Sequence, residues 1–242
     1  MIITSDVLRY DTHEMAEVKT RKRGDATRPA STQSRARTSK PTRRERAQAT
    51  RARIIRAAYA RFCEQGYAGT TMADVAGLAG VAVQTVYFTF HTKAELLGGA
   101  YDFAVLGEND PKPPPMQPWY SAAAAEPDAH RALRLLASGV GAIIGRAAPL
   151  ETVVRATAAS DPEAAAVWGH HERLRVDGYR GMVELLAAKA PLVDGLTLDR
   201  ATDLFLLYFG PLPYRGLVVD RGWSETAWLE WATEAADREL FG

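Results

Sequence analysis

The stretch TTMADVAGLAGVAVQTVYFTFHTK, Thr70 to Lys93, decides the fold. Its first half carries a mechanical helix start. Thr71 can cap the chain, Asp74 stands three residues on as in a capping box, and Met72, Val75, Ala76 and Ala79 recur at helical spacing. Gly80 follows where the chain must turn sharply, and glycine accepts the positive φ that such a turn commonly demands. A second helix opens near Val83. Within it Val86 and Phe90 pack inward, which leaves Gln84, Thr85, Tyr87 and Thr89 as polar groups facing out. Thr92 and Glu95 repeat the capping-box pattern, so a third helix starts there with Lys93 in its first turn.

Two short helices around a tight turn, with a third behind them, form the layout of a helix-turn-helix. A DNA duplex offers such a unit both base edges and phosphates. A lysine beside a helix amino terminus suits a phosphate, because free backbone N–H groups and the dipole add to its charge. For Val81, Val86 and Phe90 the plainer role, packing a small helical domain, is preferred. The preceding segment reads as a helix too, with Ile54, Ile55, Ala58, Tyr59, Phe62 and Cys63 on one face and Gly66 at its exit.

The order helix, TTMADVAGLAGV, QTVYFTF, TKAELL is similar to the amino-terminal domain of tetracycline-repressor-like (TetR-like) transcription regulators, over about Arg44 to Leu97. The resemblance implies phosphate contacts at Thr71, Tyr87 and Lys93, and base contacts at Val83, Gln84, Thr85 and Thr89. Ala82 departs from the family's pattern. Members often carry Ser or Thr there, so the second helix lacks a side-chain cap worth about 1 kcal/mol. The resemblance also implies an all-α fold, a three-helix helix-turn-helix DNA-binding domain (44–97) followed by a larger helical effector-binding and dimerisation domain (98–242).

Charge separates a further segment, residues 1–43, as a basic arm. The whole chain of 242 residues has a net charge of only +1. Residues 1–56 nevertheless hold 15 Lys and Arg against 6 Asp and Glu, and the remainder 15 against 23. A basic arm before a helix-turn-helix adds phosphate contacts or enters the minor groove. Arg43, Arg44, Arg46 and Arg51, next to the motif, are read as DNA contacts. Residues before Lys40 are rich in Thr, Ser and Arg without apolar periodicity, which also fits a solvated, disordered tail. Met15 offers an alternative start.

Beyond Gly107 the segment GENDPKPPPMQP interrupts helix, since proline removes a donor and disfavours helix before it. Lys93 to Leu106 is then a helix linking the two domains. His130 to Ala148 is amphipathic, and a separate short piece is expected from Leu150 to Ala159. Asp161-Pro162-Glu163 reads as a helix start. On the helix that follows, His171 and Arg175 fall towards the apolar side, where unpaired polar groups are costly. Together with the family's effector pocket, this makes Trp168, His171, Arg175, Tyr179 and Met182 the candidate pocket. A histidine satisfied by a nearby carbonyl is the competing account of His171. Ala201 to Val219 is apolar nearly all round, and Ser224 caps a last helix with Trp228, Trp231 and Ala235 on one face. The family implies that such helices make a four-helix homodimer contact.

A single Cys63 excludes an internal disulfide and a cysteine-based metal cluster. No metal-ligand spacing, glycine-rich phosphate loop or catalytic constellation appears, so neither a cofactor nor an enzyme is expected. No secretory signal is visible, and the apolar run Leu204 to Val219 is too short and too broken by prolines to span a membrane. The expected function is that of a cytoplasmic, homodimeric repressor, released from a palindromic double-stranded DNA operator by a small-molecule effector. The alternative is a sequence-indifferent nucleic-acid-binding protein driven by the basic arm.

Overall fold

The computed structural model describes residues 42–107 and 112–242. The expectation for the arm therefore lies outside the described residues, except for Thr42 and Arg43. The chain divides into two compact units inside its first helix, at Ala49 and Thr50. In the first unit, residues 42–49 are exposed and Thr42 and Glu45 close a capping box, with Glu45 N donating to Thr42 Oγ1 at 3.2 Å and Thr42 N donating to the Glu45 carboxylate at 2.6 Å. Among the described residues both buried cores lie in the second unit.

The elements are all helical. α1 spans Arg43–Gly69, with Ile54, Ala57, Ala58 and Phe62 buried at i, i+3, i+4 and i+8, and a break at Gly66, whose φ of 70° lies in the left-handed region. α2 (Met72–Ala79), α3 (Val83–Thr89) and α4 (Lys93–Leu106) follow at the places the caps predict. Gly80, at φ 64°, ends α2: its N–H donates to Gly77 O at 3.2 Å and Val81 N–H to Ala76 O at 3.0 Å, the paired bonds of a Schellman ending. The turn carries α3 away from α2 at 107°.

After a 3₁₀ turn at Pro114–Met116 come α5 (Pro118–Ala125), α6 (Ala129–Ala158) and α7 (Pro162–Ala187). The proline-rich stretch separates α4 from α5, which opens at its last residue, Pro118, because a proline at the first helical position has no N–H to waste there. One expectation is corrected here. Pro149 does not end α6, which runs unbroken for 30 residues. Proline inside a helix costs about 3 kcal/mol. Buried anchors on both sides, Ile144, Ala147 and Ala148 before it and Leu150, Glu151 and Val154 after it, hold the helical path.

α6 is the beam shared by two cores. One joins Ile54, Phe62, Val75, Val86, Phe90, Leu97 and Tyr101 to Ala147, Leu150 and Val154 of α6. The other joins Leu133, Leu136, Val140 and Ile144 of α6 to α7, to α8 (Leu198–Tyr208) and to α10 (Glu225–Phe241). Among the described residues α6 is the one single helix long and apolar enough to cross a membrane, and here that length serves as core against α4, α5, α7 and α10.

α5 seats on α6 because of one absent side chain. A Cβ on Gly139 would lie 2.1 Å from Trp119 Cδ2, inside the indole. Gly139→Ala is therefore expected to expel Trp119 and destabilise the fold by about 1–3 kcal/mol, read by urea denaturation. An unchanged midpoint would mean the ring has another seat at no cost.

Between α8 and α10 the chain makes α9 (Pro211–Tyr214) and a π-helical turn, Arg215–Val219. Gly210, Pro211 and Pro213 thus break the apolar run where the sequence places the interruption. The expected face of α10 needs correction. Trp228 is buried with Ala232, Ala236 and Leu240, but Trp231 lies outside, against Tyr208 at 5.8 Å and Trp223 at 6.4 Å between ring centroids. Three residues from Trp228 is 300° of helix, enough to carry Trp231 off the buried line.

Candidate nucleic-acid interface and ligand cleft

α3 is held by its inner side. Val86 and Phe90 have no exposed surface, and Val83 is half-buried against the same core. Ala82 gives α3 no side-chain cap, as its methyl group requires. The start of α3 depends instead on the neighbouring Schellman turn.

Gln84 and Tyr87 stand exposed on the outer side, and Thr85 and Thr89 are half-buried. The Thr89 hydroxyl donates to Thr85 O at 2.7 Å, so in this structure it serves its own helix. Phe88 is the residue that sequence reasoning missed. It is 87% exposed, one turn from Gln84 and adjacent to Tyr87. Its signal was available, since Gln84, Tyr87 and Phe88 fall at i, i+3 and i+4. Tyr87, itself 52% exposed, stands beside it on the same outward face.

Thr71 is exposed and reciprocally bonded to Asp74: Asp74 N donates to Thr71 Oγ1 at 3.1 Å, and Thr71 N and Oγ1 donate to Asp74 Oδ2 at 3.0 and 2.6 Å. Those bonds hold the Asp74 carboxyl below its usual range. At α4 only half of the predicted box closes. Glu95 N donates to Thr92 Oγ1 at 3.0 Å, while the Glu95 carboxylate turns to His91 N at 2.9 Å. Lys93 is already engaged. Its Nζ donates to Tyr67 O at 2.8 Å and Thr70 O at 3.1 Å and sits 4.2 Å from the Tyr67 ring centroid. The carbonyls left over at the end of α1 are thus satisfied by the lysine that the resemblance assigns to phosphate. Tyr67 OH in turn donates to Asp161 Oδ2 at 3.1 Å, and Asp161 Oδ1 caps α7 through Glu163 N and Ala164 N. Arg43 and Arg44 are exposed in the first turn of α1.

The five candidate pocket residues do not gather in one cavity. Tyr179 and Met182 are buried in the core that α6 forms with α8 and α10, and Tyr179 OH donates to Phe209 O at 2.8 Å. Trp168 packs against the other core, with the Arg155 guanidinium 5.9 Å from its ring centroid. All five lie along α7, but the 14 residues from Trp168 to Met182 cover about 20 Å of helix. One end of that stretch meets each core.

Between them lies a buried polar cluster. His171 packs against Tyr101 with 4.5 Å between centroids and the rings tilted by 46°, and its Nε2 stands 3.7 Å from Asp102 Oδ1, too far for a hydrogen bond. Burial, and then His170, pulls His171 down to about 3, so it is neutral at ordinary pH. Its neighbours are thus a ring and a carboxyl rather than the carbonyl of the competing account. Burial raises the Asp102 carboxyl to about 6, against the pull of Arg51. Arg175 donates to Glu172 Oε2 through Nε at 3.1 Å and Nη2 at 2.6 Å. Glu151, only 4% exposed, accepts a long 3.4 Å bond from Tyr101 OH. Burial lifts its carboxyl to about 7, with Arg175 opposing and Glu172 reinforcing. Tyr101, Asp102 and Glu151 were not read from the sequence. Among the described residues no group of three or more His, Cys, Asp or Glu converges in a way that could hold a metal ion.

Glu151 also floors a cleft of about 260 Å³ between α6 and α9. Thr152, Arg155 and Ala156 complete its α6 wall, and Pro211, Leu212 and Arg215 form the other.

Comparison with known proteins agrees with this geometry. Residues 54–100 match the family model described as "Bacterial regulatory proteins, tetR family". A stretch of 59 residues is 49% identical to the HTH-type transcriptional regulator TtgR of Pseudomonas putida, covering 24% of this chain and 28% of that protein. The match thus spans less than a third of the curated relative. Among solved structures, native NalD of Pseudomonas aeruginosa, the secondary repressor of the MexAB-OprM multidrug efflux pump, superposes with a TM-score of 0.62 at 22% identity over 81% of this chain and 98% of that one. The Bacillus subtilis transcriptional regulator FadR, solved in complex with stearoyl-CoA, gives 0.60 at 18% identity over 76% and 96%. Residues 54–100, which hold the helix-turn-helix, thus match the tetR family of bacterial regulatory proteins, and the chain shares the all-helical fold of solved tetR-family regulators.

Proposed function

We propose that the protein is a sequence-specific, DNA-binding transcription regulator, a homodimeric repressor released from a palindromic operator by a small-molecule effector. One observation carries this reading: Gln84, Tyr87 and Phe88 project from a helix whose opposite side is locked in a core. Gln84 suits bidentate pairing with adenine, the Phe88 ring suits a thymine methyl, and the Tyr87 hydroxyl suits a phosphate. Thr71, Thr85, Thr89, Val83 and Lys93 border that surface as the further contacts that the resemblance implies, and Arg43 and Arg44 add phosphate contacts. For Lys93 to reach a phosphate, it must exchange the Tyr67 and Thr70 carbonyls for it.

Homodimerisation is supported by a surface that a lone subunit leaves wet. Leu207, Val219, Trp223 and Trp231 are 59%, 65%, 40% and 37% exposed on or beside α8 and α10. A second copy covering this surface would pair two readers on a palindrome. An effector pocket among the helices beyond about residue 97, in a cytoplasmic protein, completes the proposal. An effector that prefers the form with misplaced readers lowers DNA affinity by the factor by which DNA lowers its own.

The test is to incubate the full chain with sheared DNA of its source, then recover and sequence what it retains. A shared palindrome is expected. Gln84→Ala is expected to cost about 1–3 kcal/mol and relax preference at one position, whereas Tyr87→Phe weakens all retained fragments alike. Fragments with no shared sequence, lost only when residues 1–43 are removed, would establish the arm as the binding element and overturn the proposal.

A further inference from the structure

Three features of the α6–α9 cleft point to a ligand class. The first is charge. Thr152 receives a 3.3 Å hydrogen bond from Arg215 Nη1, and both Arg215 and Arg155 are exposed on opposite walls. Arg155 makes no hydrogen bond among the described residues, its guanidinium lying by Trp168. The second is the floor. The groups facing Glu151 are Tyr101 from α4, Arg175, Glu172 and Tyr179 from α7, Arg155 on its own helix, and Arg215 across the cleft. Glu172 is taken by Arg175, so Arg155 and Arg215 stand over a single buried acid and the balance is cationic. The third is the wall. Pro211 and Leu212 give the cleft an apolar side, and its volume of about 260 Å³, just below the usual range for organic ligands, restricts it to a small one.

We propose that the cleft binds a small amphipathic organic anion, a carboxylate with an apolar body, bracketed by Arg155 and Arg215 and seated along Pro211 and Leu212. The proposal deepens the ligand-responsive reading above and rests on it. Guanidinium groups pair with carboxylates through parallel charge-assisted bonds, and two of them on separate elements let the ligand clamp α6 to the π-helical turn that follows α9. The acid on the floor then acts as a gate. Protonated, Glu151 tolerates or donates to the anion; ionised, it repels it. Affinity for the anion accordingly rises as pH falls through neutrality.

Calorimetry of the full chain with octanoate, octylamine and octan-1-ol at pH 6 and pH 8 tests this. Octanoate is expected to bind, at least ten-fold more tightly than the other two and several-fold more tightly at pH 6. Arg155→Ala and Arg215→Ala are each expected to weaken it about ten-fold, the equivalent of 1.4 kcal/mol, and Arg155→Lys to weaken it less than Arg155→Ala. Both arginines are on the surface, so the variants keep the fold, checked by circular dichroism. Octylamine binding better than octanoate, or octanoate binding that ignores both arginines, overturns the site. The same samples are assayed for DNA retention. Protein that retains DNA without arginine-dependent octanoate binding overturns the anion site and leaves the DNA-binding reading standing; protein that binds octanoate and retains no DNA does the reverse.

Discussion

Phe90→Ala is expected to destabilise the protein by about 3–5 kcal/mol and to abolish DNA retention with it. The ring is fully buried at the carboxy-terminal cap of α3. It also lies against Gly99 of α4 so closely that a Cβ there would meet Phe90 Cε1 at 3.0 Å, and the Arg51 guanidinium covers it 4.3 Å from its centroid. Truncation therefore opens a cavity under α3, frees the α3–α4 corner and strips Arg51 of its aromatic partner. Urea denaturation reads the stability. Phe90→Leu, which fills most of the volume, should cost less and keep binding. A loss below about 1 kcal/mol for the alanine variant would mean that α3 is positioned by the turn alone.

Glu151→Gln is expected to change stability by an amount that depends on pH. The Glu151 carboxyl ionises near 4.5 in an unfolded chain and near 7 in the fold, mainly because it is buried. Between those values the folded state holds the extra proton, so stability declines as pH rises from about 4.5 to about 7 and is level above. Glutamine keeps the shape and never ionises. Relative to the parent, the variant should gain on the order of 3 kcal/mol between pH 4.5 and pH 8. Denaturation midpoints at several pH values measure it, and a constant difference across that range would show that Arg175 keeps Glu151 ionised in the folded protein.

Local chemistry made the reader legible. Thr71 with Asp74, Gly80, Thr92 and the Asp161-Pro162 pair each set a helix end by bonds within five residues, and the structure has each end there. Ala82 was legible too, as an absent cap. What failed is non-local. Pro149 reads as a stop, but buried neighbours on both sides override it. Trp231 and the five candidate pocket residues share helical faces in sequence, and only the placing of two cores along α7 separates Trp168 from Met182. Glu151 carried no signal because its meaning comes from Tyr101 and Arg175, 50 residues before it and 24 after it. Phe88 was readable and was passed over for its polar neighbours.

The core beneath the reader does not end with the motif. Ala100, Tyr101 and Ala104 close it from farther along α4, and Ala147, Leu150 and Val154 close it from α6. The reader is thus poor material for modular exchange. A fragment cut after Leu97 would leave the undersides of Phe62 and Leu97 facing water, and a foreign reader grafted at that point would meet an α6 shaped for another surface. Evolution or engineering that changes which DNA this fold reads is therefore channelled to the outer face of α3, where Gln84, Tyr87 and Phe88 can vary without disturbing what lies beneath.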